Sequence, residues 1–193
     1  MFKRISPKLA GLVLALTATA LPALAQTLPN MREARRLVFA RDGAVVGEVI
    51  PNDSLSTADV AILNQIVATQ KYYAAVAISP DQGLVSEATV AAANFHDEDN
   101  ARRVALEGCN ERRAEDSAEC AIVLIIRPEG WEPGRPLQLN TDATAALWGS
   151  YRQLGRPRAM AISEATGQWG VGDSWEAAVS DCGQPDCRVV VDN

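Results

Sequence analysis

Histidine is all but absent. His96 is the single one in 193 residues, so any Ser–His–acid or Cys–His relay has to run through it. Lysine is nearly as scarce: beyond residue 25 only Lys71 remains, against fourteen arginines. No glycine-rich phosphate loop follows a predicted strand, which removes the common nucleotide-binding signatures. Positive charge is in deficit as well. Residues 1–25 hold three of the 18 basic residues and none of the 24 acidic ones, so the remainder carries fifteen against 24, a net charge of −9. Such a balance argues against nucleic acid or anionic lipid as partner. After residue 25 no apolar run approaches the ~20 residues of a membrane span.

What is present begins with an export signal. Lys3, Arg4 and Lys8 form a positive region, Leu9–Leu21 is uncharged and apolar, and Ala23-Leu24-Ala25 offers a cleavage site before Gln26. No cysteine follows that site to take a lipid anchor. Residues 1–25 therefore read as a removable signal peptide, and the mature chain as periplasmic or secreted.

The mature chain repeats itself. Aligned 84 positions apart, residues 55–83 and 139–167 share nine identities in 29 positions, among them Ala75/Ala159, Ala77/Ala161, Ile78/Ile162, Ser79/Ser163 and Gly83/Gly167. Each copy then leads to a cysteine pair, Cys109 and Cys120 or Cys182 and Cys187. The first copy (55–127) reads as a helix capped by Ser56 or Thr57, a strand over 72–79, a turn closed by Gly83 and a returning strand over 84–94. A helix beginning near His96 and a strand over 120–126 complete it. The second copy (139–193) follows the same plan, with a helix from Asn140/Thr141 to Leu154 and strands over 158–163, 168–172 and 188–192. A helix over 174–181 lies between the last two. Residues 26–54 supply an N-terminal helix capped by Asn30 and a strand. Residues 128–138, rich in proline and glycine, form the joint. The expected fold is α+β: two tandem αββαβ pseudo-repeats packed as one compact domain.

Four cysteines in an exported chain invite two disulfides, and spacing alone allows three connectivities. The repeat chooses among them. Each copy ends its second helix with one cysteine and opens the next strand with the other, which selects Cys109–Cys120 and Cys182–Cys187. Zinc binding by these cysteines is the competing reading. The pattern Ala-Ile-Ser, turn glycine, helix–Cys and Cys–strand resembles a short bacterial exported α+β domain of unknown function, present here twice over about 72–127 and 158–193. That resemblance implies an exported, disulfide-bonded module and supplies no activity. Proteins similar to the whole chain sometimes bear an aminolevulinate synthase label. A pyridoxal-phosphate enzyme needs a Schiff-base lysine in a built phosphate site, and Lys71 stands outside any such motif.

Few residues are left to carry chemistry. His96 beside Asp97, Glu98 and Asp99 reads as part of a helix cap, with a metal site as the sharper alternative. Ser79 and Ser163 end strands at tight turns without a nucleophile elbow. Arg32, Arg35, Arg36 and Arg41 form either a docking patch or a solvated helix face. Trp131 in the joint, with Arg135, Trp169 and Trp175, is the best candidate for partner binding, since Trp and Arg dominate interface hot spots; Trp148 reads as core. No cofactor is expected. The sequence thus points to a non-catalytic binding or envelope-accessory protein whose partner is a protein or small molecule of the cell envelope. A small carboxylate-dependent hydrolase and an inhibitor of another exported protein are the alternatives.

Overall fold

A computed structural model describes residues 27–193, so the expected signal peptide lies outside the described residues. Helix α1 (Met31–Leu37) starts where the Asn30 side chain accepts from the Arg32 and Glu33 amides and Glu33 returns the bond to the Asn30 amide. That reciprocal capping pair is the expected start signal. Strand β1 (Val45–Val49) follows, and then α2 (Thr57–Val67), which Ser56 and Asp59 cap in the same way. Next come β2 (Ala74–Ile78), β3 (Val90–Ala92), α3 (Glu98–Arg112) and β4 (Ala121–Pro128). The second half comprises α4 (Thr141–Trp148), α5 (Ser150–Gln153), β5 (Ala159–Ile162), β6 (Trp169–Gly172), α6 (Trp175–Cys182) and β7 (Arg188–Asp192). The fold is α+β, with two antiparallel sheets ordered β1-β4-β2-β3 and β6-β5-β7.

Every residue of β2 and of β5 is buried, because both sheets are covered on both faces. Alternation along each strand sends different sizes to the two sides. Val76 and Ile78 join Leu63, Leu124 and Ile126 in one cluster, while Ala75 and Ala77 face Ala101, Ala105 and Cys109 of α3. In the second sheet Met160 and Ile162 join Leu139, Leu147 and Tyr151, while Ala159 and Ala161 face Ala178 and Cys182 of α6. The alanines let each cysteine-bearing helix approach its sheet closely. Beside α6 the approach is closer still: a Cβ on Gly172 would sit 2.5 Å from the Ala178 nitrogen.

Both disulfides are formed as expected, Cys109–Cys120 and Cys182–Cys187, with Cα–Cα distances of 6.0 and 6.2 Å. Each ties a helix end to the strand after it. By loop-closure entropy they stabilise by about 3 and about 2 kcal/mol.

The structure departs from the sequence reading in three local places. Only Val90–Ala92 of the return strand expected over 84–94 pairs with β2. The Ser86 hydroxyl donates to the Gly83 carbonyl (3.0 Å) and that of Thr89 to the Leu84 carbonyl (2.6 Å), so side chains hold this stretch as a loop. The helix expected to run from Asn140 to Leu154 breaks at Gly149, whose φ and ψ are both −102°. Trp148, expected in the core, points outward, 44% exposed beneath the Arg35 guanidinium, while Leu147 and Tyr151 stay in the core.

The apolar clusters of the two halves are separate, and the N-terminal segment serves both. Ala34, Met31, Leu37 and Val38 of the α1 region complete the second core, whereas β1 pairs with β4 in the first sheet. Residues 31–49 thus strap one half to the other.

Candidate functional site

The halves meet at a polar junction around the single histidine. His96 is 1% exposed. Its Nδ1 accepts from the Asn140 amide at 3.1 Å, which fixes the proton on Nε2, and Nε2 donates to the Gln168 carbonyl at 3.0 Å. The cap of α3 is Asp97, whose carboxylate accepts from the Asn100 amide. His96 is therefore a buried cross-link between halves and not the cap-region residue the sequence implied. Burial pushes its pKa below the ordinary imidazole value; the Gln168 carbonyl, Asp97 and Glu164 pull the other way, and Arg188 adds to the depression. Both nitrogens being engaged by backbone, the ring serves as neither proton shuttle nor metal ligand here. Among the described residues no group of three His, Cys, Asp or Glu side chains is placed to hold a metal ion.

Asn140 completes the junction. It is fully buried, caps α4 through the Ala143 amide, and donates its Nδ2 to the carbonyls of Asn94 (2.7 Å) and Gly167 (2.8 Å). Gly167 lies so near the other half that a Cβ there would stand 2.6 Å from the Asn94 oxygen. Lys71, the one lysine among the described residues, crosses the same boundary to Asp142 at 2.7 Å.

Beside this junction opens a cleft of about 650 Å³. Four separate segments build it: Thr27–Pro29 with one side of α1, His96 and Asp97, the joint at 135–138, and the second sheet through Ile162, Arg188 and Val190. Its floor is apolar, and Arg36, Arg135 and Arg188 bring three guanidinium groups to its walls. The carboxylates alongside are already committed. Glu33 accepts from the Asn30 amide, Asp97 from Asn100, and Glu164 pairs with Arg188. Arg135 stacks 4.1 Å over the Phe39 ring and donates to the Leu37 carbonyl, so its planar fork is held in place.

The residues predicted for partner binding are spread out, and the cleft takes in Arg135 alone. Trp131 is half-buried, bonded through its indole NH to Gln138 at 2.8 Å and covered by Arg127. Trp169 lies on β6 and packs against the second core. Trp175, at the first position of α6, is 51% exposed. Ser79 and Ser163 are buried; Ser163 donates to Asp186 at 2.7 Å and Ser79 to the Ala118 carbonyl at 3.1 Å, so both brace turns. Arg36 belonged to the basic cluster seen in the sequence. Arg188, Leu137 and Val190 carried no signal, because nothing in their own segments shows that these segments converge. No protein family, curated protein or solved structure matches the chain. No helix among the described residues is long and apolar enough to cross a membrane.

Proposed function

We propose that the protein is an exported, disulfide-bonded binding or envelope-accessory protein, and that the cleft at the junction is its binding surface. The observation that carries the reading is the disposition of groups in that cleft. Its acids and its histidine are engaged by the protein itself, while arginine donors remain over an apolar floor. Such a site holds a ligand and lacks a group placed to turn it over. The hydrolase alternative needs a carboxylate released from Asn30, Asn100 or Arg188, and an inhibitor surface would draw on exposed Trp175 instead.

The signal-like residues 1–25, the two disulfides and the resemblance to an exported cysteine-paired domain all support export. The matching order of β3-β2-β4 and β6-β5-β7, each with a register shift in mid-strand, at Val76/Ala77 and at Met160/Ala161, supports reading the two halves as tandem copies. Native mass spectrometry of protein isolated from the envelope fraction tests the proposal. We expect a chain starting at Gln26, two intact disulfides and a non-covalent small molecule that the Arg36→Gln variant loses. Reduced protein in the cytosol, or bare protein in both forms, would contradict it.

A further inference from the structure

We propose that the cleft binds an anionic amphiphile, its carboxylate or phosphate head held by Arg36 and Arg135 and its apolar body laid along Leu28, Pro29 and Leu37 over Leu137 and Val190. The inference rests on the binding reading above and names the ligand class.

Counting donors and acceptors leads to it. A guanidinium carries five N–H donors and accepts none. Arg36 is exposed and has no ion-pair partner among the described residues. Arg135 uses one nitrogen on the Leu37 carbonyl, and its Nε is buried without a partner among the described residues. Arg188 is already held by Glu164. Glu33, Asp97 and Glu164 balance the three arginines in charge, but each already accepts a bond from the protein, whereas Arg36 and Arg135 keep donors unpaired, the complement of an anion. A bare anion is a poor match. Against a net charge of −9 over residues 26–193 and with salt screening, two partly solvated arginines hold a small ion weakly. The apolar floor supplies what the charges lack. A volume of about 650 Å³ lies within the ordinary range for a small-molecule site, roughly 300–1,000 Å³. A cationic amphiphile would set its positive group against Arg36.

Isothermal titration calorimetry on the oxidised protein tests this with hexanoate, octanoate, decanoate, decyl phosphate, decanol and inorganic phosphate. Affinity is expected to rise about fourfold per added methylene in the carboxylate series, the worth of burying one CH₂. Decyl phosphate should compete with decanoate, and whichever binds tighter names the preferred head. Decanol and inorganic phosphate should each bind about tenfold or more weakly than decanoate, and Arg36→Gln, confirmed folded by circular dichroism, should weaken decanoate about tenfold. Equal binding of decanol and decanoate, or no effect of Arg36→Gln, would overturn the anionic head. Phosphate binding as well as decanoate, without chain-length dependence, would overturn the apolar body. If no probe binds but the native protein carries an envelope molecule that Arg36→Gln loses, the ligand class falls and the binding reading stands. If the native protein is also bare, both fall.

Discussion

His96 joins the two halves through both of its ring nitrogens. Held neutral between an amide and a carbonyl, it stabilises the fold as long as the imidazole need not be charged. Its folded pKa lies below the ordinary value because of burial, while the unfolded chain titrates near 6.5. The unfolded state therefore binds more protons as the medium acidifies. The His96 contribution is full above pH ~6.5 and declines as pH falls through that value towards the folded one. We expect His96→Gln to cost about 1–3 kcal/mol at pH 8, because one glutamine amide cannot stand at both ring-nitrogen positions and leaves the Asn140 amide or the Gln168 carbonyl without a partner in a buried place. Below pH ~6.5 the gap between native and variant should narrow by up to about 1.4 kcal/mol per unit. Urea unfolding of both proteins across pH 5–8 measures the gap; a gap independent of pH would show that the imidazole is not held neutral.

Among the elements, two turns share the pattern Ser-x-x-x-Gly but differ in surroundings. Gly83 and Gly167 both sit at φ +75°, yet a Cβ on Gly83 meets nothing within 4 Å, whereas one on Gly167 meets the Asn94 oxygen at 2.6 Å. Gly83→Ala should cost about 1–2 kcal/mol, the strain of a left-handed alanine. Gly167→Ala should cost about 3 kcal/mol or more, since it also pushes the halves apart. Thermal unfolding of the two variants checks this, and equal losses would mean that the junction yields easily. The pair also shows what a sequence discloses. A turn glycine, the caps Asn30, Ser56 and Asn140, the strands of alternating alanine and large residues, and both disulfides depend on neighbours in the chain or on the sequence repeat, so they were legible. The loop held by Ser86 and Thr89 and the break at Gly149 turned on choices that spacing does not resolve. The role of His96 is hidden in the sequence because its acidic neighbours offer a local explanation, while its partners lie 44 and 72 residues away. The cleft had no signature beyond Arg36 and Arg135, since four segments assemble it.

At the scale of the whole molecule, two cores with separate apolar clusters are joined by a strap and a polar junction. Residues 31–37 fill the second core and residues 45–49 extend the first sheet, so neither half is complete without the N-terminal segment. The cleft depends on the same arrangement, because its walls come from both halves and from α1. Sharing a strap and a junction, the halves are expected to unfold as one unit. Native-state hydrogen exchange on the oxidised protein tests it most directly, by following the slowest amides of β2 (Ala74–Ile78) and β5 (Ala159–Ile162) in the native chain and in His96→Gln. Opening free energies for the two strands are expected within about 1 kcal/mol of each other, lowered together by the substitution. Strands that open at clearly different free energies, with only one of them answering to His96→Gln, would contradict it and leave two autonomous modules on a linker.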